Sequence, residues 1–227
     1  MRTLLLLITA LMLTACVSAS TNEGLQYKRN DPNRGQVKSV LPRAPVLLRI
    51  IKEDSVLEVW QQEGDRWYNS NSYPICKFSG DLGPKRRTGD KQAPEGFYTI
   101  TRYSLNPFSR EYLSINTGFP NQYDRAHGYT GSALMIHGAC SSIGCYAITD
   151  KHMEEVYAAV RTALEDGQDS IQLQIYPFRM NSLRMLYVQN HRDYEFWKQL
   201  KAGWDWFEYN RQPIPVTVEN GRYKIAS

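Results

Sequence analysis

From Val46 onward the chain is cut into short apolar, β-branched runs separated by charged or glycine-containing turns, and that spacing commits most of the molecule to strands. The runs fall at 46 to 51, 56 to 60 and 73 to 78 within "PVLLRIIKEDSVLEVWQQEGDRWYNSNSYPICKF", and Tyr98 to Tyr103, Tyr112 to Ile115 and Ala133 to Ile136 continue them. One segment departs from the pattern. Between Asp150 and Asp166, Met153, Val156, Tyr157, Val160 and Leu164 recur at helical spacing, with Thr149 or Asp150 as N-cap and Gly167 as the stop. "SIQLQIYPF" then returns as an alternating strand. Residues 44–178 are therefore expected to form an α+β, mainly β, mixed-sheet domain with one main helix.

The last segment, 179–227, changes character. Asn190 with Asp193 resembles a capping box, and Trp197, Leu200, Trp204 and Phe207 fall on one helical face, the pattern of a core stripe. "VTVENGRYKI" is two short strands about an Asn-Gly turn, the commonest hairpin signal. A helical and hairpin extension packed on the main body, shaping its cleft, is the expectation. No internal repeat is visible.

The beginning of the chain sets the compartment. "MRTLLLLITALMLTAC" places one basic side chain before an apolar run from Leu4 to Leu13 and small residues before Cys16, the layout of a secretory signal. The run is too short for a stable bilayer span. Leu13-Thr14-Ala15-Cys16 resembles the bacterial lipoprotein signal, in which Cys16 becomes the acylated N-terminus, and this reading is favoured over ordinary cleavage after Ala19. Acyl chains on Cys16 would hold the protein at a membrane surface, each buried methylene adding about 0.8 kcal/mol. The polar, turn-rich stretch 17–43 fits a flexible linker. A periplasmic, membrane-anchored protein of a Gram-negative-type envelope is expected.

Export bounds the cysteine chemistry, because an oxidising compartment favours disulfides. Once Cys16 is set apart, Cys76, Cys140 and Cys145 remain, so at least one thiol is unpaired or reactive; a Cys76 to Cys140 bridge disposes of only two. The formal charge of +4 is spread along the chain, and no basic stripe points to nucleic acid.

"MIHGACSSIGCYAITD", residues 135 to 150, concentrates the chemistry. "ALMIHG" is a strand ending at His137, and "SSIGC" is a turn that sets Cys145 ahead of the helix starting near Asp150. A cysteine near a helix N-terminus has its thiolate stabilised and its pKa lowered. The backbone amides of Gly144 and Cys145 are candidates for an oxyanion hole, and His137 is the natural base for a Cys145 nucleophile. A backbone carbonyl near Gly138 or Ala139 is the nearest candidate to orient the imidazole. Zinc on His137, Cys140, Cys145 and His127 matches no common ligand spacing, and "CSSIG" lacks the first glycine of a serine nucleophile elbow.

Three stretches taken together carry a resemblance: "SGDLGPKRRTGDKQAPEGFYTI" from Ser79 to Ile100, "MIHG" at 135 to 138 and "SIGC" at 142 to 145. On them the segment 44–178 resembles the catalytic domain of the L,D-transpeptidase (YkuD) family. The resemblance implies a mixed β-sheet fold and action on peptidoglycan stem peptides containing meso-diaminopimelate. It also implies a cysteine nucleophile and histidine base working through a thioester, roles that fall on Cys145 and His137, with no cofactor or metal.

This chain departs from the common family pattern in Ile143, in Tyr146-Ala147 after the cysteine, and in a short His-to-Cys interval. Those departures, "YPICKFSGDLGPK", "YDRAHG" at 123 to 128 and the aromatic C-terminal extension are similar to the YafK-like branch. That similarity implies an amidase releasing a lysine-linked lipoprotein from the wall. Transpeptidation, which forms cross-links or attaches lipoprotein, is the alternative, and a non-enzymatic wall-binding lipoprotein is the rival of another class. Lys85 and Arg87, beside Arg86, are candidates to pair stem-peptide carboxylates, and His127, Tyr123 and Arg125 are candidates to help build the site.

Overall fold

The computed structural model describes residues 31–226; the leader, Cys16 and the first part of the expected linker lie outside the described residues. Two five-stranded sheets carry the body. The first runs in the order β3-β2-β1-β10-β5, from β1 (Val46–Ile51), β2 (Val56–Glu63), β3 (Arg66–Pro74), β5 (Gly96–Ile100) and β10 (Ile171–Tyr176). Within it only β1 and β10 pair in parallel. The second has the order β4-β9-β8-β7-β6, from β4 (Lys77–Phe78), β6 (Leu105–Asn106), β7 (Ser114–Asn116), β8 (Met135–His137) and β9 (Tyr146–Ala147). Here only β8 and β9 are parallel.

Four helices complete the described chain: α1 (Gln122–Ala126), α2 (Asp150–Glu165), α3 (Ser182–Tyr187) and α4 (Tyr194–Asn210). The mixed-sheet α+β class and the main helix are as the patterning predicts. α2 buries Met153, Val156, Tyr157 and Val160, and the same core takes Ile115, Ile136 and Tyr146 from the second sheet and Ile100, Leu173 and Ile175 from the first.

β1 explains why two cores exist. All six residues of "VLLRII" are buried, as a strand covered on both faces requires. Val46, Leu48 and Ile50 enter the first core, while Leu47 and Ile51 enter a second one with Trp197, Leu200 and Phe207 of α4. Fully burying one such side chain is worth about 1.5–3 kcal/mol. Arg49 faces the second core and lays its guanidinium over Trp60, Trp204 and Phe207 at 4.7, 4.7 and 4.3 Å, with an ion pair to Glu208 at 2.9 Å. The stacked rings and the carboxylate offset the cost of removing that charge from water.

Several local expectations are corrected. The run 73 to 78 is split: Tyr73 and Pro74 end β3, and after Ile75 and Cys76 the chain enters the second sheet as β4. β3 itself shows little apolar patterning because it is an edge strand whose Asn69 to Ser72 face outward. α3 has no counterpart among the expected elements. The capping box at Asn190 and Asp193 does not form: Asp193 is the N-cap of α4 but makes no side-chain cap hydrogen bond, its carboxylate being drawn to Arg86.

The C-terminal hairpin, β11 (Val216–Glu219) and β12 (Arg222–Ile225), turns at Asn220 and Gly221, both at positive φ as this turn type requires. The 179–227 segment contributes α4 and this hairpin to the second core, on the far face of the first sheet. It supplies no residue of the cleft described below, so its effect on the cleft is indirect.

Candidate active site

The β8–β9 pair is the frame. Ile136 is in parallel register with Tyr146, and His137 with Ala147. Side chains alternate across a strand, so Ile136 and Tyr146 enter the core. Met135, His137 and Cys145 open on the other face and line a cleft of about 450 Å³ with Lys77, Glu111, Cys140, Ser141, Ser142 and Ile143.

The loop from 138 to 145 is held at both ends. A Cβ on Gly138 would lie 2.6 Å from Asp150 Oδ1 and 2.8 Å from the Glu111 carbonyl oxygen, so a side chain has no room where the loop leaves β8. Gly144 has φ +98°, a conformation glycine adopts without steric cost. In between, Cys140 is bridged to Cys76 with a Cα–Cα distance of 5.5 Å, which ties the loop to the chain entering β4. The bridge also takes Cys140 out of any His137-Cys140-Cys145 ligand set, and among the described residues no cluster of three or more His, Cys, Asp or Glu is placed to hold a metal. Cys145 is the free thiol among the described residues.

His137 is buried, and its Nδ1 lies 2.6 Å from the carbonyl oxygen of Gly138. A carbonyl only accepts, so Nδ1 carries a proton and the neutral ring keeps Nε2 as its acceptor. Cys145 Sγ is 3.8 Å from the Ala133 carbonyl oxygen.

Burial pushes the Cys145 thiol up, and the Glu111 carboxylate acts in the same direction, while a backbone hydrogen bond at Met135 and the charge of Lys85 pull against them. The expected lowering by a helix N-terminus is corrected. β9 stands between Cys145 and α2, and the first helical residue, Asp150, already gives its carboxylate to the Ala139 amide at 2.6 Å. A dipole effect fades within the first turn of a helix, so a proton acceptor has to come from elsewhere.

The two amides expected to be open are both engaged. Gly144 N donates to Ser79 Oγ, and Cys145 N donates to Ser142 Oγ at 3.0 Å. Each hydroxyl is anchored in turn: Ser79 Oγ donates to the Lys91 carbonyl at 2.7 Å and Ser142 Oγ to the Cys145 carbonyl at 2.6 Å. An oxyanion would have to displace a serine hydroxyl from each amide.

The other candidate residues separate. Lys85 is buried, its Nζ 2.5 Å from Asp90 Oδ1 and 2.9 Å from the Arg87 carbonyl oxygen, so its carboxylate partner is internal. Against the upward push of burial, hydrogen bonds from Lys85 and from the amides of Arg87, Arg86 and Gln92 hold Asp90 down to about 2. Arg87 is exposed on the same loop.

His127, Tyr123 and Arg125 do not line the cleft. His127 stacks on Tyr123 at 4.1 Å between ring centroids and its Nδ1 faces the Tyr123 carbonyl oxygen at 2.9 Å. Tyr123 stacks in turn on Tyr223 of the C-terminal hairpin, and Arg125 bonds the Pro120 carbonyl. Their packing partners, which no local pattern reveals, make them structural here. Conversely Glu111, Lys77, Ile143 and Ser142 line the cleft without having been singled out. Met135 alone had a signal, two residues before His137 on one strand.

The L,D-transpeptidase catalytic domain family matches residues 47–172. YafK of Escherichia coli (strain K12), named for the L,D-transpeptidases, is 46% identical over 220 residues, covering 97% of this chain and 89% of its own. Among solved structures, the helical cell shape determining protein Pgp2 of Campylobacter jejuni aligns with 17% identity over 87% of this chain and 80% of that one, at a TM-score of 0.49. L,D-transpeptidase 1 of Mycobacterium tuberculosis aligns with 10% identity over 59% and 62%, at a TM-score of 0.32.

Proposed function

Because the chain belongs to the L,D-transpeptidase family, and so is a peptidoglycan-modifying enzyme, we propose that it cleaves diaminopimelate amide bonds through a thioester on Cys145 and releases lysine-linked lipoprotein from the wall. The observation that carries this reading is the common face of β8 and β9, on which His137 and Cys145 line one cleft with Nδ1 of the imidazole already committed to Gly138.

In this mechanism Nε2 of His137 takes the proton of Cys145, and the sulfur attacks the acyl carbon. The same nitrogen then returns the proton to the departing lysine amine, leaving diaminopimelate as a thioester. Water, deprotonated by His137, attacks that thioester and restores the thiol. The upward push of burial on the thiol makes the histidine necessary, since Cys145 alone would stay protonated near neutral pH. The amides of Gly144 and Cys145 serve the oxyanion once substrate displaces Ser79 and Ser142 Oγ.

Transpeptidation shares every step up to the thioester and differs in what attacks it. The family of YafK, as its name gives it, favours that second reading. Hydrolysis is preferred on the departures at Ile143 and Tyr146-Ala147 that accompany the YafK-like pattern. A free, partly exposed Cys145, set beside a bridged Cys140, argues against a purely wall-binding role. The leader supports export to the periplasm, with Cys16 as lipid anchor and the membrane as a second partner.

The test is to incubate the purified protein with peptidoglycan carrying bound lipoprotein and to weigh the released fragments. Free lipoprotein with an intact C-terminal lysine is expected. New diaminopimelate-to-diaminopimelate cross-links would replace this reading with transfer.

A further inference from the structure

Beside His137 lies a hydroxyl that the proposed reaction does not use. Ser114 on β7 is the antiparallel register partner of His137. Gly138 N donates to the Leu113 carbonyl at 3.1 Å and Thr117 N to the Leu134 carbonyl at 2.9 Å. The ladder alternates, so Ser114 and His137 form a pair of the non-hydrogen-bonded kind, in which opposed side chains stand closest, with Cβ atoms about 4.5–5.5 Å apart. They project from the same face of the sheet.

Ser114 is wholly buried, and its Oγ has no hydrogen-bond partner among the described residues. A buried hydroxyl without a partner costs stability, and alanine would fill the same space without that cost. Its presence at this position therefore calls for a state in which it is paired.

The strand order β7-β8-β9 puts Ser114 and Cys145 on opposite sides of His137. On the mechanism above, which this inference deepens and on which it rests, the ring becomes an imidazolium when it takes the thiol proton. Its Nδ1 edge is turned to Gly138. We propose that Ser114 is a positioning residue for His137. Its Oγ shares the Nδ1–H of the imidazolium with the Gly138 carbonyl in a three-centre bond, draws positive charge to the edge away from sulfur, and keeps Nε2 facing Cys145. The proton moves from Sγ to Nε2; Ser114 neither gains nor loses one.

The other charged groups around the ring are accounted for. Cys145, Lys77 and Glu111 face it across the cleft, and Lys85 acts on Cys145 from the loop before β5. From α2, Asp150 is bonded to the Ala139 amide and Glu154 to the Tyr112 hydroxyl.

The experiment measures alkylation of Cys145 by iodoacetamide against pH in the full chain, with the modified residue identified by mass. For Ser114→Ala the melting temperature should hold or rise, while the pH of half-maximal reactivity should move up so that Cys145 reacts about 10-fold more slowly near neutrality, the order of effect of one hydrogen bond to a charged group. Ser114→Thr, which keeps the hydroxyl, should stay near wild type, and Ser114→Val, of the same shape without it, should follow alanine; this pair decides the matter even where alanine folds poorly. In a His137→Gln background, Ser114→Ala should add no further shift.

An unmoved profile in both the alanine and valine variants overturns the inference. So does an equal shift in the His137→Gln background, or a wild-type profile in His137→Gln alone. Alkylation needs no peptidoglycan, so failure of the amide-cleavage reading would be seen separately in the fragments released by the unmutated protein.

Discussion

Lys52 and Glu95 form an ion pair, Nζ to Oε1 at 3.0 Å, with neither side chain exposed to solvent. Around it, Lys52 also donates to the carbonyls of Asp81, Gly83 and Ala93, and Glu95 accepts from Gly83 N at 2.7 Å and from Trp197 Nε1 at 2.9 Å. Glu95, which follows a proline and reads from sequence as a turn residue, thus joins the loop before β5 to α4. Through Arg86 and Asp193 the same loop is tied to the start of that helix.

Removing one member of this pair strands the other's charge in the interior. Glu95→Gln is expected to destabilise the protein by about 3–5 kcal/mol in urea unfolding, and Lys52→Met together with Glu95→Gln to recover part of that loss. A change within 0.5 kcal/mol, the usual range for a surface site, would mean that the pair is exposed in solution.

Cys145→Ala is expected to abolish release of lipoprotein while preserving the fold, because a thiol-to-methyl change at the cleft wall removes the nucleophile and little packing. Wild-type turnover in that variant would end the thioester mechanism. Circular dichroism on the same sample checks that the fold is kept.

Cys140→Ser tests the neighbouring sulfur. Losing the bridge to Cys76 is expected to cost about 2–5 kcal/mol of stability, yet residual turnover at low temperature should exceed that of Cys145→Ser. The reverse ranking would move the nucleophile to Cys140.

His137→Gln is expected to lower turnover by about 10²- to 10⁴-fold and to raise the pH at which Cys145 is alkylated. His127→Gln, which loses a stack on Tyr123 away from the cleft, should reduce stability and leave the thiol profile in place. A thiol profile shifted by the His127 variant and untouched by the His137 variant would place the base on α1's C-terminus instead.

Burial raises the Asp124 carboxyl to about 6, against hydrogen bonds from the Asn121 amide and the Tyr98 hydroxyl. The unfolded value is about 3.9. The native state therefore holds that proton more tightly, and the stability this gives is complete below about pH 4 and lost as pH rises through 6. Asp124→Asn keeps an acceptor and does not titrate. Its stability relative to wild type should climb between pH 4 and 7 by roughly 2 kcal/mol, followed by thermal melts at fixed ionic strength. A constant difference across that range would show that Asp124 is ionised throughout.

Periodicity and small-residue chemistry determined a good deal of this protein. The six-residue run of β1, the helical spacing of Met153, Val156, Tyr157 and Val160, the aromatic stripe of α4 and the Asn-Gly hairpin are each written within one turn or one strand, and local backbone geometry is enough to realise them. The placing of His137 at the end of a strand was legible for the same reason. What only the tertiary structure decided involves partners far apart in the chain: Cys76 with Cys140, Arg86 with Asp193, Glu95 with Trp197, Ser79 with Gly144, and Ser114 with His137. Those pairings depend on how two sheets cross over and on which buried polar group finds a partner when water is excluded. Side chains such as Glu111 and Lys77 enter the cleft from strands and loops whose own patterns contain no trace of it.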